Sequence, residues 1–218
     1  MKKEISEGRT INLIPVTAIV LAAGLSSRMG DFKPLLPIDG VPMLEAVLTK
    51  VLSFPFKEAI AVVGHKEQKI RETIEIQDDR FNWVVNKNFI EGLSSSIKAA
   101  IQRTNNDTFG IFIFLGDQPL IKKTTIEQML KTIMEKEIHQ TKCIVQPTFN
   151  GMPGHPVFIS SQMIPYLKSL TGAEGAKPIF AYAEKHIYLP IDDEGIILDV
   201  DTKQDYKKVL AIPKSIRK

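Results

Sequence analysis

The stretch that decides the fold reads Val16-Thr17-Ala18-Ile19-Val20-Leu21-Ala22-Ala23-Gly24-Leu25-Ser26-Ser27-Arg28-Met29-Gly30. Its first half, residues 16–23, is a run of β-branched and small apolar residues, which predicts a strand buried on both faces. A loop rich in glycine and serine follows directly. Because open α/β sheets bind ligands at the carboxyl ends of their strands, we expect this loop to border a binding crevice.

The loop has the composition of a phosphate site. Gly24 and Gly30 allow the backbone to approach an anion, and consecutive N–H groups can form a nest for phosphate oxygens. Arg28 and Lys33 add positive charge beside it. The loop lacks the Gly-Lys-Ser/Thr ending of a P-loop and the third glycine of a dinucleotide fingerprint. We therefore predict a phosphate-binding loop of another type, and a plain Gly/Ser turn between strand and helix is the alternative.

Short β-rich runs alternate with stretches of helical period over the rest of the chain, which is typical of βαβ units around a mostly parallel sheet. Strands are predicted over residues 16–23, 59–63, 81–85, 109–115, 143–149, 156–159, 187–191 and 196–200. Helices are predicted over residues 43–52, 66–76, from about 94 to 101, 124–136, as a pair within 161–183, and after 202. Thr124 with Glu127, and Thr202 with Asp205, match the capping-box pattern at a helix start.

We accordingly predict a single-domain, Rossmann-like α/β fold with three layers, α/β/α, and a mostly parallel central sheet. The predicted domain covers residues 15–212, between an N-terminal extension at 1–14 and a C-terminal tail at 213–218.

The composition argues against several classes of protein. The net charge of +3 suits a small anionic substrate and is too low to indicate nucleic-acid binding. The longest apolar run, residues 18–25, is far shorter than the roughly 20 residues that a membrane span needs, and no secretory signal precedes it. A cytoplasmic location is therefore expected. Cys143 is the only cysteine, so an internal disulfide and a thiolate metal cage are excluded, and its apolar neighbours predict burial.

Two carboxylates follow apolar runs in the same way as the glycine loop does. Asp117 comes directly after the strongest predicted strand, in Gly116-Asp117-Gln118-Pro119, and Asp201 lies in Asp199-Val200-Asp201-Thr202. Carboxylates combined with substrate phosphates are how Mg²⁺ is usually held. Asp117 could also simply begin a turn, and Asp201 could cap the helix that follows.

These motifs together resemble the nucleotidyltransferase superfamily, and most closely its molybdenum cofactor cytidylyltransferase branch. The glycine loop with its basic ending, Gly-Asp-Gln-Pro, Gly-His-Pro-Val at residues 154–157 and Asp-x-Asp-Thr occur in the family's order over residues 17–206. The resemblance implies a fold of the nucleotide-diphospho-sugar transferase type.

The resemblance also implies roles for individual residues. Arg28 and Lys33 would hold phosphates and, with Asp117, form the catalytic group, while Asp117 and Asp201 would bind Mg²⁺. The nucleotide would further contact Leu21, Ala22, Ala23, Gly24, Ser26, Asn86, Gly92, Ser94 and Ser95. The acceptor would contact Gly154, His155, Pro156 and Gly175. The serines at 94–96 could instead serve only as a solvated helix cap.

The activity implied is transfer of a cytidylyl group from CTP to the molybdenum cofactor, with Mg²⁺ as cofactor and release of pyrophosphate. Guanylyltransferase relatives carry paired glycines where this chain has Ala22-Ala23-Gly24, which favours cytidine. A molybdenum hydroxylase of the xanthine dehydrogenase type is the implied recipient. At residues 172–177 the chain departs from the family's Gly-Asp-x-Gly-Ala-Arg and reads Gly-Ala-Glu-Gly-Ala-Lys. This departure leaves two alternatives open: a carrier of the cofactor without catalysis, and a transferase acting on another phosphorylated acceptor.

Overall fold

A computed structural model describes residues 2–3, 11–26, 29–105, 107–135 and 138–214 of the chain. The strands are β1 Lys2–Lys3, β2 Ile11–Asn12, β3 Ile14–Ala22, β4 Pro37–Ile38, β5 Val41–Pro42, β6 Phe56–Val63, β7 Phe81–Val85, β8 Gly110–Leu115, β9 Cys143–Phe149, β10 Met152–Pro153, β11 Val157–Ser160 and β12 Lys185–Pro190. The α-helices are α1 Met43–Leu52, α2 Glu67–Thr73, α3 Leu93–Ile101, α4 Lys123–Glu135, α5 Ile164–Lys168 and α6 Lys203–Ala211. Short 3₁₀ helices cover Lys33–Leu35, Phe89–Glu91, Ile138–Gln140, Ser161–Met163, Lys177–Tyr182 and Glu194–Ile197.

Strand β3 lies in the middle of the main sheet. It pairs in parallel with β6 on one side and β8 on the other, and β7 continues the parallel part beside β6. Beyond β8 the sheet becomes mixed, because β11 runs antiparallel to both β8 and β9. Strand β12 then pairs in parallel with β9, and the short β10 pairs with β9 antiparallel. The prediction of an α/β fold with a mostly parallel sheet is confirmed.

Helices cover both faces of this sheet. Alternate residues of β3 point to opposite faces: Val16, Ala18 and Val20 join one buried cluster, and Ile19 and Leu21 join the other. Helices α1, α2 and α4 pack on the first face, and α3 and α5 pack on the second. This is why residues 16–21 read as an unbroken apolar run rather than an alternating one.

A third, smaller apolar cluster attaches the C-terminal helix to the end of the glycine loop. Met29 and Met43 pack there with Val200 and Val209, and all four side chains are buried. Helix α6 starts at a capping box in which Thr202 and Asp205 exchange hydrogen bonds, as predicted. Cys143 is buried, also as predicted. Among the described residues, no helix is long and apolar enough to cross a membrane.

Two local predictions are wrong. The segment predicted as a strand over residues 196–200 begins instead in the 3₁₀ helix Glu194–Ile197, and its polar groups bond to the loop after β8 rather than to a neighbouring strand. Helix α4 begins at Lys123, so Thr124 lies inside it and cannot be its N-cap. The predicted last residue of that helix, Lys136, lies outside the described residues.

Asp193 explains both differences. This carboxylate is buried and accepts hydrogen bonds from Lys122 N at 2.8 Å, Thr125 Oγ1 at 2.5 Å and Gly195 N at 3.0 Å. It therefore satisfies the start of α4 and the start of the 3₁₀ helix at the same time, a task that local capping signals do not reveal.

Replacing this carboxylate is expected to be costly. Asp193→Ala should lower the free energy of unfolding by roughly 3 kcal/mol, because it leaves two buried N–H groups and a hydroxyl without acceptors. Urea unfolding measures the change. The control is Asp192→Ala. The Asp192 side chain is exposed, so this variant should change the free energy of unfolding by less than about 0.5 kcal/mol. Equal losses in the two variants would contradict this account of Asp193.

Candidate functional site

A cleft of about 400 Å³ opens where β3 and β8 end. Its volume falls within the range of pockets that hold small molecules. Nine residues singled out in the sequence line it: Leu21, Ala22, Ala23, Gly24, Ser26, Lys33, Gly92, Asp117 and Asp201. The structure therefore brings together the glycine loop, one lysine and both carboxylates at one edge of the sheet. Arg28 and the neighbouring Ser27 lie outside the described residues.

The glycine loop begins directly after β3. Ser26 has a left-handed backbone with φ of 57°, and its carbonyl accepts a hydrogen bond from Met29 N at 3.2 Å. Gly116 N donates to Leu21 O at 2.9 Å, which holds the end of β8 close to the end of β3. A side chain at Gly116 would approach Ala22 Cβ to 3.0 Å, so the glycine permits this close contact.

Lys33 bridges the two carboxylates, which we name the acidic pair. Its Nζ lies 2.5 Å from Asp117 Oδ2 and 3.0 Å from Asp201 Oδ1. The lysine side chain is only 16% exposed, and the two carboxylates are 22% and 29% exposed. Burial alone would lower the pKa of Lys33. The charge and hydrogen bond of Asp117, followed by those of Asp201, have a larger combined effect and raise the pKa. Lys33 is thus held in its charged form.

Contacts between two distant segments hold the acidic pair together. Val200 N donates to Asp117 O at 3.0 Å, so the two carboxylate-bearing segments are joined through their backbones. The buried side chain of Gln118 donates to Ile196 O at 3.1 Å and to Asp199 Oδ1 at 2.7 Å. Burial and the nearby charge of Asp117 raise the pKa of Asp199, which marks this end of the cleft as electronegative.

The donor set fits a divalent cation. Asp117 Oδ1 is buried, and no hydrogen bond reaches it from the described residues. A buried carboxylate oxygen without a donor is costly unless a cation serves it. No group of three or more His, Cys, Asp or Glu side chains that could hold a metal occurs in the described ranges. A metal here would therefore take ligands from substrate as well, which is the usual coordination of Mg²⁺.

Three residues predicted to bind nucleotide do not line the cleft. Asn86 Nδ2 donates to Ser95 Oγ at 2.8 Å and to Ser96 Oγ at 3.0 Å, and Asn86 Oδ1 accepts from Asn88 N at 2.9 Å. Ser94 Oγ donates to Gly175 O at 3.1 Å. Asn86, Ser94 and Ser95 are all buried. Their position is behind the cleft wall, where they fix the start of α3.

The residues predicted to bind the acceptor also lie outside the cleft lining: Gly154, His155, Pro156 and Gly175. His155 N donates to Ile196 O at 2.9 Å, which places the segment beside the acidic pair. Burial lowers the pKa of His155 to about 4, with the charge of Asp117 opposing the shift and that of Lys177 adding to it. The imidazole is therefore neutral near pH 7 and lies within range of both charges.

Several lining residues were not assigned a role from the sequence. Leu25 and Pro34 are part of the glycine-loop motif or next to it, and Phe89 precedes the start of α3. Phe89 packs over Gly64, where a Cβ would lie 2.7 Å from Phe89 Cβ. The sequence signal available for Phe89 was its position as an aromatic residue shortly before the predicted start of a helix. Leu93, Ser96, Leu115 and Gly116 complete the lining.

Known proteins share this architecture. The family model described as the MobA-like NTP transferase domain matches residues 18–187. The chain is 27% identical over 191 residues to the molybdenum cofactor cytidylyltransferase of Escherichia coli, covering 88% of this chain and 93% of that protein.

Solved structures agree. An Rv0371c homolog from Mycobacterium sp. strain JC1 superposes with a TM-score of 0.78 at 28% identity, covering 93% of this chain and 96% of the other. Rv0371c of Mycobacterium tuberculosis, solved in complex with manganese, has a TM-score of 0.72 at 24% identity, covering 91% and 99%. Since the family model spans most of the sequence, this chain is a nucleotidyltransferase that belongs to the MobA-like NTP transferase family.

Proposed function

We propose that this protein transfers a cytidylyl group from CTP to the terminal phosphate of the molybdenum cofactor, with Mg²⁺ as cofactor and pyrophosphate as the second product. The observation that carries the proposal is the convergence of Lys33, Asp117 and Asp201 on one cleft beside the glycine loop. The similarity to the Escherichia coli cytidylyltransferase, which extends over most of both chains, supports the choice of substrates.

The geometry suits a reaction that depends on positioning and charge. The acceptor phosphate attacks the α-phosphorus of CTP, and pyrophosphate leaves in line. Lys33 is fixed in its charged form inside the cleft and can neutralise phosphate oxygens, and Arg28 is predicted to do the same. The acceptor phosphate is ionised near neutral pH, so the reaction needs no protein base. The low pKa of His155, which makes it a weak base, is consistent with a reaction of this kind.

Asp117 and Asp201 are the residues that would hold Mg²⁺. The buried, unbonded Asp117 Oδ1 gives this assignment its structural support, and the manganese complex of the Mycobacterium tuberculosis protein agrees with a divalent metal. When bound, the ion supplies positive charge to the triphosphate.

Selection of cytidine rests on Ala22-Ala23-Gly24, whose backbone borders the cleft. We assign the acceptor-binding position to the segment that contains Gly154 and His155. Here a neutral imidazole can exchange hydrogen bonds with the acceptor but cannot attract it by charge. A Cβ at Gly175 would lie 2.8 Å from Leu93 Cδ2, and Leu93 lines the cleft, so we assign Gly175 a supporting role behind that wall.

Two other functions remain to be separated from this one. A non-catalytic carrier of the molybdenum cofactor would bind the same ligands without releasing pyrophosphate. A transferase with another phosphorylated acceptor would release pyrophosphate with that acceptor instead, although the Gly-His-Pro-Val segment argues against it. A molybdenum hydroxylase recipient stays a prediction from the resemblance alone.

Pyrophosphate release should depend on CTP, the molybdenum cofactor and Asp117. With all four triphosphates offered separately, CTP should give the highest kcat/KM. Asp117→Asn should lower the rate by at least about 100-fold, because it removes a carboxylate that would hold Mg²⁺, the ion that supplies positive charge to the reacting phosphates. A coupled pyrophosphate assay measures both effects.

The matched control is Asp192→Asn, an exposed carboxylate outside the cleft, which should keep the wild-type rate. A preference for GTP would overturn the cytidylyl assignment and leave the enzyme class intact. Unchanged release in Asp117→Asn would overturn the catalytic role of this site and favour a carrier.

His155 should make the protein less stable in acid. Its folded pKa of about 4 lies below the unfolded value of about 6.5, so the unfolded chain binds the extra proton between these values. The contribution of a neutral His155 is complete above about pH 6.5 and is lost as the pH falls toward 4. Urea unfolding at pH 7, 6 and 5 should therefore show a smaller loss of stability in His155→Gln than in wild type.

An NMR titration gives an independent readout of the same group. The His155 ring signal, identified by its absence from His155→Gln, should titrate with a midpoint near 4. A midpoint at 6 or above would show that the ring is exposed to solvent and would remove the reason for assigning it a neutral role.

A further inference from the structure

The ammonium group of Lys33 occupies the position that a cation shared by the acidic pair would take. It lies 2.5 Å from Asp117 Oδ2 and 3.0 Å from Asp201 Oδ1. A Mg²⁺ ion binds carboxylate oxygens at about 2.0–2.1 Å, so an ion touching both oxygens would be in close contact with the ammonium nitrogen. Two cations cannot share this space, because the ion and the ammonium nitrogen would overlap and their like charges would repel at such a short distance.

We propose that Lys33 keeps free divalent metal away from Asp117 and Asp201, and that the cleft accepts metal only together with a nucleoside triphosphate. The inference rests on the proposed function and specifies the form of its substrate. The metal–triphosphate complex enters, and neither free metal nor free triphosphate binds well alone.

The cleft offers Lys33 a second set of partners. Its backbone is fixed, since Lys33 O accepts from Leu36 N at 3.1 Å and the adjacent Pro34 is buried. Its four-carbon side chain can still turn about its single bonds, and the glycine loop lines the same cleft. Phosphate oxygens bound at that loop give the ammonium a new ion pair, and its movement vacates the space between the carboxylates.

Charge balance favours the joint arrival of the two ligands. Without ligand, one lysine faces two carboxylates, so the acidic end repels a free triphosphate and attracts free metal. Lys33 offsets that attraction by placing its own charge on Asp117 Oδ2 and Asp201 Oδ1. Because binding free energies are reciprocal, a triphosphate that displaces Lys33 must tighten metal binding by the same factor as metal tightens triphosphate binding.

The test measures Mn²⁺ binding to the full chain by electron paramagnetic resonance, with no nucleotide present. Lys33→Met keeps an unbranched side chain as far as Cε and removes the charged ammonium group. We expect Lys33→Met to bind Mn²⁺ alone at least about tenfold tighter than wild type, a factor within the usual range of coupling between two sites. Adding CTP, with the Mn–CTP complex in protein-free solution measured separately, should tighten Mn²⁺ binding in wild type and much less in Lys33→Met.

Two further variants isolate the cause. Lys203→Met removes another lysine at the C-terminal side of the cleft, which pairs with Asp31 at 3.5 Å and not with the acidic pair, so its Mn²⁺ affinity should equal that of wild type. Lys33→Met combined with Asp117→Asn should lose the gained affinity. Lys33→Gln repeats the measurement in case Lys33→Met is poorly folded, and Mn²⁺ should raise the melting temperature of both Lys33 variants more than that of wild type.

The result that overturns the inference is a Mn²⁺ affinity in both Lys33 variants equal to that of wild type. In that case pyrophosphate release by wild type would still support the proposed function. If wild type releases no pyrophosphate and binds no CTP, the proposed function itself fails, and the inference about its substrate fails with it.

Discussion

The hydrogen bond from Val200 N to Asp117 O is the constraint on which the site depends. It joins the end of a buried strand to a segment more than eighty positions later, and Gln118 strengthens the junction through Ile196 O and Asp199 Oδ1. These contacts hold the two carboxylates of the acidic pair near each other, although each lies on an irregular segment. Their mutual repulsion is then offset by Lys33, which contributes its charge from the glycine loop side.

The electrostatics of the cleft follow from this arrangement. A buried lysine would ordinarily lose its proton more easily, yet the two carboxylates reverse that tendency for Lys33. Lys50 shows the contrasting case. Its Nζ donates to the carbonyls of Pro119 and Ile121, and burial lowers its pKa to about 8, with the charge of Asp193 opposing the shift and that of Lys123 adding to it. The cleft therefore keeps Lys33 charged, while Lys50 holds the loop after Asp117 in place.

The sequence predicted the site best where residues directly follow the end of a parallel strand. Strand β3, the glycine loop after it and Asp117 after β8 could be placed together, because carboxyl ends of parallel strands meet at one edge. The strand predicted over residues 196–200 failed because the hydrogen bonds of this segment go to Gln118 and Asp117, partners far away in the chain. The hydrogen bond between Asn86 and Ser95, outside the cleft lining, could not be foreseen either, because a local pattern does not distinguish a buried hydrogen bond from a ligand contact.

The departure at residues 172–177 has a limited structural effect, since backbone atoms rather than side chains attach this segment to the cleft. Ser94 Oγ bonds to Gly175 O, and a Cβ at Gly92 would lie 2.7 Å from Ala173 Cα. Gly92 and Gly175 both have a left-handed backbone, with φ of 97° and 66°, so the docking needs glycine at both positions. Glu174 and Lys177 are exposed and do not contribute to this contact. Lys177 lies near enough to His155 for its charge to help lower the pKa of that imidazole, and a lysine lacks the planar, bidentate fork that arginine would offer.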